Sequence, residues 1–451
     1  MREYISPNEL TQDFADDSAA IQAAIEEAER DGCRCILIPR YNLRRDANEW
    51  RIPRSIKIPD HFTVILDNCY MVQETGVYEN MFTNSRSGDV EYITKHEQTD
   101  ITVLGRGNVI LDGGKHNRLL EKTKLKNGLP HTMNNSIFFW LNVNGLRVEN
   151  LRIQNHRYWA MTHLFCCNAT IRNVEFYAIP HVYNQDGIDL RIGNHHFTIE
   201  NITGRTGDDV LALSALGART PFLRSRFVEG RDHDIHDVRV RNLKADPHFC
   251  FIMRLLNQDG CKIYNIDASV LMDASDYATK TRSGACLCAG SPLYFTDHPA
   301  ENGDLAHLHF AHFTSRSDDC IMLSHSVEDC LIENVKTFGD NVNGIGVWPE
   351  SSEPCHLKNV TVRHFWYGAA QLERRQSLVL TAEKYHGTAF KLTNMQGELK
   401  LEDVHIDRVR TAYEVSGGIH VDVDEAECNE SFRYAAVEPD STLVINGEVV
   451  K

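Results

Sequence analysis

Short strand patterns repeat along most of the chain. Each repeat has a short run of alternating apolar and polar positions, a bend and a second short run, often with an asparagine nearby. Examples are 168–174, 197–202, 330–335 and 356–360. A recurrence roughly every 20–30 residues is typical of the coils of a solenoid. Helix signals are nearly absent between these strands, which argues against an alternation of strands and helices around one sheet.

The N-terminal segment has a different periodicity. Apolar residues at helical spacing run from Ala19 to Ala28, after the N-cap candidates at 16–18 and before Gly32. The strand Cys35–Pro39 follows. The first coil of a parallel β-helix has an open sheet edge and an open core, and an amphipathic helix would cover both. We therefore predict an all-β fold, a single-stranded right-handed parallel β-helix (a solenoid) with an N-terminal capping helix.

The chain shows no linker or low-complexity segment, so we predict one domain over residues 1–451. Its predicted parts are a cap helix within 10–32, coils over about 35–425 and a C-terminal cap or tail over 426–451. The stretch from about Leu216 to Gly230 is polar and irregular. It is expected to form a long loop over one face, a usual position for substrate contacts.

A second repeated pattern comes just after the strands of this repeat. Pairs of small or polar residues precede a short apolar run in coil after coil. If each pair occupies the same corner, neighbouring pairs stack about 4.8 Å apart. The pairs are Asp186–Gly187, Asp208–Asp209, Cys250–Phe251, Gly284–Ala285, Asp318–Asp319, Asn343–Gly344, Gly368–Ala369, Gly387–Thr388 and Thr411–Ala412.

Composition limits the class of protein. Of the 451 residues, 42% are hydrophobic and 24% charged, which is ordinary for a globular protein. The net charge of −16 disfavours nucleic acid and long polyanions as partners. No apolar stretch has the length of a membrane span, and no apolar leader begins the sequence, so we expect a cytoplasmic protein with no membrane partner. The 13 cysteines are expected to be mostly buried free thiols.

Two acidic blocks carry the candidate chemistry. Asp186 and the pair Asp208–Asp209 are separated by one coil, which predicts three carboxylates at the same corner of adjacent coils. Like charges that close raise the pKa of at least one carboxyl. One acid can then donate a proton while the others activate water, as glycoside hydrolysis requires. Aspartate also suits turns, but a turn needs only one of the three.

These blocks resemble a known family. Asn184–Asp189 and Gly207–Leu213 resemble the Asn-Thr-Asp-Gly-Ile-Asp and Gly-Asp-Asp-Cys-Ile-Ala-Ile blocks of glycoside hydrolase family 28, the polygalacturonases. Asn155–Leu164 is similar to the coil that precedes the catalytic one. Asp17–Ile25 is similar to the N-terminal cap of pectin-lyase-like β-helices. The resemblance covers roughly residues 10 to 215, and the remainder is similar only as generic coils.

The resemblance implies hydrolysis with inversion of configuration. It implies that Asp208 is the general acid and that Asp186 and Asp209 hold and deprotonate the water. Asn184 and Arg191, in and just after the first block, are then expected to bind substrate.

Two later blocks of the family are missing, namely Gly-His-Gly and the Arg-Ile-Lys that grips a uronate carboxylate. The corresponding coil is Pro247–Arg254, where His248 and Arg254 are the candidate replacements. With this grip missing and the net charge strongly negative, we expect a neutral or only partly uronic oligosaccharide rather than polygalacturonate.

Further candidates have alternatives of equal or greater weight. Asp318–Asp319 repeats the acidic block, as either another sugar subsite or a second polar corner, and the chemistry could also lie nearer to it. Trp159 and Trp348 are candidates for stacking on sugar rings, although aromatic residues often belong to the core. The 22 histidines show no convincing ligand spacing, so we predict no metal and no cofactor.

Three functions remain open from the sequence. The first is a glycosidase that cleaves an oligosaccharide or polysaccharide. The second is a carbohydrate lyase, epimerase or intramolecular transglycosidase, because a fold alone does not fix the reaction. The third is a non-catalytic β-helix that binds glycans. Each has a carbohydrate partner, and each leaves the oligomeric state open.

Overall fold

The computed structural model describes residues 2–88, 97–119, 132–179, 182–217, 228–275, 283–290, 298–337, 343–347, 353–368 and 387–450. The chain forms two compact units. The first covers residues up to Asp209 together with Val228–Asp232, and the second covers the remainder. We describe each unit by itself, and the single-domain organisation stays a prediction.

The first unit contains one α-helix, α1 (Asp17–Asp31), and 3-10 helices at Pro7–Glu9 and Thr132–Asn135 among its described residues. Its strands β3, β6, β9, β11 and β13 form one parallel sheet, and the others form a second. The strands are β1 (Cys35–Pro39), β2 (Trp50–Ile52), β3 (Ile56–Ile58), β4 (Phe62–Asp67), β5 (Tyr70–Gln73), β6 (Phe82–Asn84), β7 (Gln98–Arg106), β8 (Ile110–Asp112), β9 (Phe138–Leu141), β10 (Val143–Gln154), β11 (Met161–Leu164), β12 (Cys167–Tyr177), β13 (Ile188–Leu190) and β14 (His195–Arg205).

The second unit likewise has two sheets. Its odd-numbered strands from β15 to β29 form one parallel sheet, and its even-numbered strands and β31 form the other. The strands are β15 (Leu211–Leu216), β16 (Ile235–Asp246), β17 (Phe251–Gln258), β18 (Ile263–Asp273), β19 (Ala285–Ala289), β20 (Leu305–Ser315), β21 (Asp319–Leu323), β22 (Ser326–Thr337), β23 (Asn343–Val347), β24 (Cys355–Tyr367), β25 (Thr388–Leu392), β26 (Met395–Ile406), β27 (Val409–Val415), β28 (Ile419–Cys428), β29 (Ser431–Val437), β30 (Thr442–Ile445) and β31 (Glu448–Val450).

The N-terminal helix caps the first coil, as predicted. The Asp16 side chain accepts a hydrogen bond from the Ala19 N–H at 2.8 Å, and Gly32 ends the helix in the left-handed region. The helix therefore begins at Asp17, directly after one of the predicted N-cap residues. Its apolar face, which includes Ile21 and Ile25, is buried, and the helix contacts β1, β2 and β3.

Left-handed backbone positions explain the recurring asparagines. In the first unit, Asn150, Asn173 and Asn201 all have a positive φ, which asparagine tolerates better than most residues. They lie at equivalent positions of β10, β12 and β14. The side-chain amide of Asn173 donates to Asn150 at 2.7 Å, and that of Asn201 donates to Asn173 at 2.9 Å. The asparagine repeat is thus a ladder along one bend of successive coils.

The second unit has two such columns. Strand register aligns the members of each column on successive coils. One column is Asp237, Asn265, His307, Asp329 and Asn359; the other is Asn242, Val270, His312, Asn334, His364, Asp403 and Glu425. All of these residues have a positive φ, so each of the even-numbered strands from β16 to β24 bends twice.

Apolar side chains stack inside each unit. Phe82, Phe138 and Trp140 stack with ring centroids 5.4 and 5.7 Å apart in the first unit. Phe390 and Tyr413 stack at 5.4 Å in the second. All of the cysteines lie in the described residues, and none forms a disulfide, as expected. No helix in the described ranges combines the length and apolar character that crossing a membrane requires.

The coils continue beyond the predicted end at residue 425. Strand β29 pairs in parallel with β27, and β30 with β28. Strand β31 then reverses direction and pairs antiparallel with β30, through a turn at Asn446 and Gly447, both of which have a positive φ. Asn-Gly is the favoured sequence for such a two-residue hairpin turn.

The predicted ladder of residue pairs holds in the second unit, with a slip of one residue in places. Ala285 lies opposite Asp319, as predicted, and Asp319 lies opposite Asn343. Gly344 and Ala412 were expected in this column, but Asn343 and Thr411 occupy it instead. Ala369 and most of the predicted loop, residues 218–227, lie outside the described residues.

Val270 is the residue least suited to its column. It is β-branched, has a φ of 62° and is 41% exposed. Replacing it with asparagine should raise the free energy of unfolding by about 1–2 kcal/mol, because the left-handed conformation costs L-residues roughly that much. Urea titration of the Val270→Asn protein measures the change.

The matched control is Asn242→Val, which makes the reverse change one coil away in the same column. It should lower the free energy of unfolding by a similar amount. A Val270→Asn protein that is less stable than the parent would contradict this account of the bend.

Candidate active site

Main-chain hydrogen bonds bring the two acidic blocks side by side in the first unit. The Gly207 N–H donates to the carbonyl of Gln185 at 3.0 Å, and the Gly187 N–H donates to the carbonyl of Asp209 at 2.8 Å. Asp186 therefore lies on the coil adjacent to Asp208 and Asp209. The main chains of the three aspartates are thus on adjacent coils, and the meeting of their carboxylates at one corner stays a prediction.

Asp208 is the most accessible of the three aspartates. Its Oδ2 accepts a hydrogen bond from the Asn184 N–H at 3.0 Å, and its Oδ1 accepts one from the Asp209 N–H at 3.1 Å. It is half-buried, whereas Asp186 is 5% and Asp209 2% exposed. Asn184, a predicted substrate-binding residue, thus contacts Asp208 through its main chain.

A buried ion pair lies on the same coil as Asp186. Arg191 Nη1 is 3.8 Å from Asp189 Oδ1, and the Arg191 guanidinium lies 4.4 Å from the ring centroid of Trp159. All three side chains are at most 4% exposed. The Tyr158 ring also stacks on Trp159, with ring centroids 4.5 Å apart. A sugar could therefore stack only on the part of the Trp159 ring that Tyr158 and Arg191 leave uncovered.

Two buried histidines contact the same segment. His156 Nε2 is 3.0 Å from the carbonyl oxygen of Gln185, and His163 Nδ1 is 3.1 Å from that of Asp189. The Gln185 side-chain amide donates in return to the carbonyl of His156. The two rings therefore contact the chain on either side of Asp186.

Both imidazoles are held in the neutral form. Burial lowers the pKa of His156 and of His163 from the ordinary value of 6.5 to about 4, although the facing carbonyls act in the opposite direction. The site thus combines ionisable carboxyls with uncharged hydrogen-bond donors beneath them.

Sequence reasoning did not single out these histidines. They fall in the block Asn155–Leu164, which carried the family resemblance, but a histidine among apolar residues is ordinarily taken for a core residue. Their acceptors are main-chain carbonyls, which no side chain in the sequence marks, so no sequence signal identified these contacts.

The second unit contains the other predicted binding residues. His248 is 5% exposed, and its ring lies edge-on to that of Phe249. The Arg254 guanidinium lies 5.6 Å from the ring centroid of Phe251. The described residues of this unit thus include both candidate replacements for the missing uronate grip, and their role in binding stays a prediction.

Asp318 and Asp319 differ in environment. Asp318 is half-buried, whereas Asp319 is 8% exposed and accepts a hydrogen bond from the side-chain amide of Asn343. Burial, aided by the charge of Asp318, raises the pKa of Asp319 to about 6, although the Asn343 bond opposes this. Such a carboxyl suits either a sugar subsite or a polar corner, and both interpretations stay open. Trp348 lies outside the described residues.

No protein-family model matches the sequence, and a search of curated proteins finds no match. Solved structures do match. The catalytic domain of a GH87 alpha-1,3-glucanase in complex with nigerose is 13% identical, with a TM-score of 0.55, over 97% of this chain and 67% of that one. The tailspike protein of E. coli bacteriophage HK620, in complex with a hexasaccharide, is 10% identical, with a TM-score of 0.63, over 98% of this chain and 80% of that one.

A family 28 exopolygalacturonase from Yersinia enterocolitica is also similar, at 10% identity and a TM-score of 0.50, over 98% of this chain and 79% of that one. These proteins share the pectin-lyase-like right-handed parallel β-helix. The chain has that fold, which confirms the fold class predicted from its repeats.

The buried histidines make stability depend on pH. Their pKa is about 4 when folded and near 6.5 when unfolded, so the unfolded chain binds more protons between these values. The free energy of unfolding should therefore fall as the pH is lowered from 7.5 to 5. The expected loss is about 2 kcal/mol for each imidazole, measured by urea titration at the two pH values.

Protonation of Asp319 has the opposite effect on stability. Its folded pKa of about 6 lies above the ordinary 3.8, so its contribution to the free energy of unfolding rises as the pH falls below 6. A variant that lacks both histidines separates their contribution from that of Asp319. In a double variant, His156→Gln with His163→Asn, the loss between pH 7.5 and 5 should shrink by several kcal/mol. An unchanged loss would exclude the two imidazoles as its source.

Proposed function

We propose that this protein is a glycoside hydrolase that cleaves an oligosaccharide or polysaccharide at the aspartates of the first unit. The observation that carries the proposal is the pairing of the Asp186 segment with Asp208 and Asp209 on adjacent coils. Burying Asp186 and Asp209 there costs stability that a plain turn would not require. Such a cost is expected where carboxyls perform chemistry.

The different exposure of the three aspartates supports different catalytic roles for them. Asp208, the half-buried residue, acts as the general acid and protonates the leaving glycosidic oxygen. Asp186 and Asp209, which are more deeply buried, hold the water and remove its proton. Attack by this water on the face opposite the leaving group would invert the configuration.

Complexes of similar structures support a carbohydrate ligand. The glucanase contains nigerose and the tailspike protein a hexasaccharide. Two of the glucanase structures carry alanine in place of one aspartate each, and the two aspartates are separated by nearly the same number of residues as Asp186 and Asp209 here. The likeness agrees with the choice of these residues.

The substrate class follows from charge. Asp186, Asp189 and Asp209 are buried together in one unit with Arg191, whose guanidinium already pairs with Asp189 and lies over Trp159. A further carboxylate on each sugar would meet this negative charge, since the chain as a whole carries −16. A neutral or partly uronic glycan fits better than polygalacturonate.

Replacing Asp208 with asparagine should reduce kcat about 100- to 10,000-fold, because the amide cannot donate a proton as a carboxylic acid does. The Tm should change little, since the residue is only half-buried. The matched control is Asp100→Asn, an exposed aspartate of the same unit whose positive φ asparagine tolerates. Full activity in Asp208→Asn would exclude Asp208 as the acid.

Product analysis separates the reaction types. Wild-type protein is incubated with a panel of plant and microbial oligosaccharides in ¹⁸O-water, and the products are measured by mass spectrometry and ultraviolet absorbance. A hydrolase incorporates one ¹⁸O atom at each new reducing end. An unsaturated, absorbing product identifies a lyase, unlabelled product an intramolecular transferase, and no product from any glycan a binding protein.

A further inference from the structure

We propose that His156 and His163 are positioning residues that hold the Asp186 segment through two opposite, fixed imidazole tautomers. The inference deepens the proposed function and rests on it where catalysis is concerned. Both rings bond to main-chain carbonyls, so both act through the main chain that carries Asp186.

The tautomer of His156 follows from its acceptor. The carbonyl oxygen of Gln185 can only accept a hydrogen bond, so the ring nitrogen 3.0 Å away must carry the proton. That nitrogen is Nε2. The Gln185 amide returns a hydrogen bond to the His156 carbonyl, and this reciprocal pair fixes both residues.

His163 has the opposite tautomer for the same reason. Its Nδ1 lies 3.1 Å from the carbonyl oxygen of Asp189, so Nδ1 carries the proton. Burial keeps both rings neutral, and each ring has one N–H to donate. The Phe176 ring lies edge-on to His156 and the Phe197 ring edge-on to His163, which restricts rotation of both imidazoles.

The two histidines add side-chain hydrogen bonds to the main-chain bonds of this segment. Regular pairing of β11 with β13 begins at Met161 and Ile188, beyond Asp186. The Ala160 N–H donates to the carbonyl of Asp186 at 2.9 Å, and the Gly207 N–H donates to that of Gln185, which precedes the β11–β13 ladder. His156 anchors the chain at Gln185, directly before the aspartate, and His163 anchors it at Asp189, three residues after it.

Small displacements of a reacting group reduce catalysis strongly, by as much as about 100-fold for roughly 1 Å. The carboxylate of Asp186 must stand at one position relative to Asp208 and Asp209 on the next coil. Two anchors that bracket its main chain therefore limit the movement that matters most for the water-activating group.

The experiment uses amides that imitate one tautomer each. The glutamine Nε2 reaches about as far as the histidine Nε2, and the asparagine Nδ2 about as far as Nδ1. His156→Gln and His163→Asn therefore keep the donor in place, whereas His156→Asn and His163→Gln misplace it. Within each pair the imidazole is lost equally, so the comparison isolates the position of the N–H.

The full-length variants are compared at a temperature far below their Tm, on a glycan that the wild type cleaves. We expect kcat to be at least about tenfold lower in the misplaced member of each pair, with KM unchanged within twofold. Equal kcat within both pairs, or a kcat that follows Tm, would overturn the positioning role.

A second measurement needs no substrate. In ¹⁵N-histidine-labelled wild type, NMR should show His156 protonated at Nε2 and His163 at Nδ1. Hydrogen exchange at the amides of Ala160 and Gly187, which bond to Asp186 and Asp209, should be faster in the misplaced variants. The same tautomer at both rings, or unchanged exchange, refutes the inference even if no glycan is cleaved. Failure of the proposed function alone would leave both results as expected.

Discussion

The structure depends on parallel, in-register hydrogen bonding between successive coils. Each main-chain ladder places equivalent residues of neighbouring coils next to one another, so one side chain at a corner becomes a column of side chains along the unit. A column tolerates only residues that suit both its backbone conformation and its neighbours. The asparagines at 150, 173 and 201 satisfy both conditions, because they accept a positive φ and their amides bond to each other.

The same constraint places the acids of the candidate site. The bond from Gly187 to Asp209 places the main chains of the two acidic blocks side by side on adjacent coils. A column of like charges opposes folding, and the first unit meets this with uncharged donors and with the Asp189–Arg191 pair. His156 and His163 bind carbonyls rather than carboxylates, so they order the segment without neutralising the acids.

The sequence was sufficient for whatever depends on periodicity. The capping helix, the coil repeat and the one-coil separation of Asp186 from Asp208 all follow from patterns that local physics repeats. Register was harder to predict. Asn343 and Gly344 both fit a pattern of small or polar residues, and only the hydrogen-bonded ladder decides which of them lies opposite Asp319. The histidine contacts could not be predicted, since a carbonyl acceptor leaves no trace in the sequence. The end of the coils was predicted too early, at residue 425, because exposed strands such as β29 lack the apolar pattern of the inner coils.

The two Asp-Asp blocks show why a motif alone does not define a site. In the first unit, the coil beside Asp208–Asp209 contributes another aspartate, Asp186. In the second unit, the residues opposite Asp319 are Ala285 on one side and Asn343 on the other. Burial and the charge of Asp318 raise the pKa of Asp319, the Asn343 bond lowers it, and the adjacent coils offer Asp319 no acidic partner in this column. The same dipeptide thus lies beside an aspartate in one unit and beside alanine and asparagine in the other, because the neighbouring coils supply its partners.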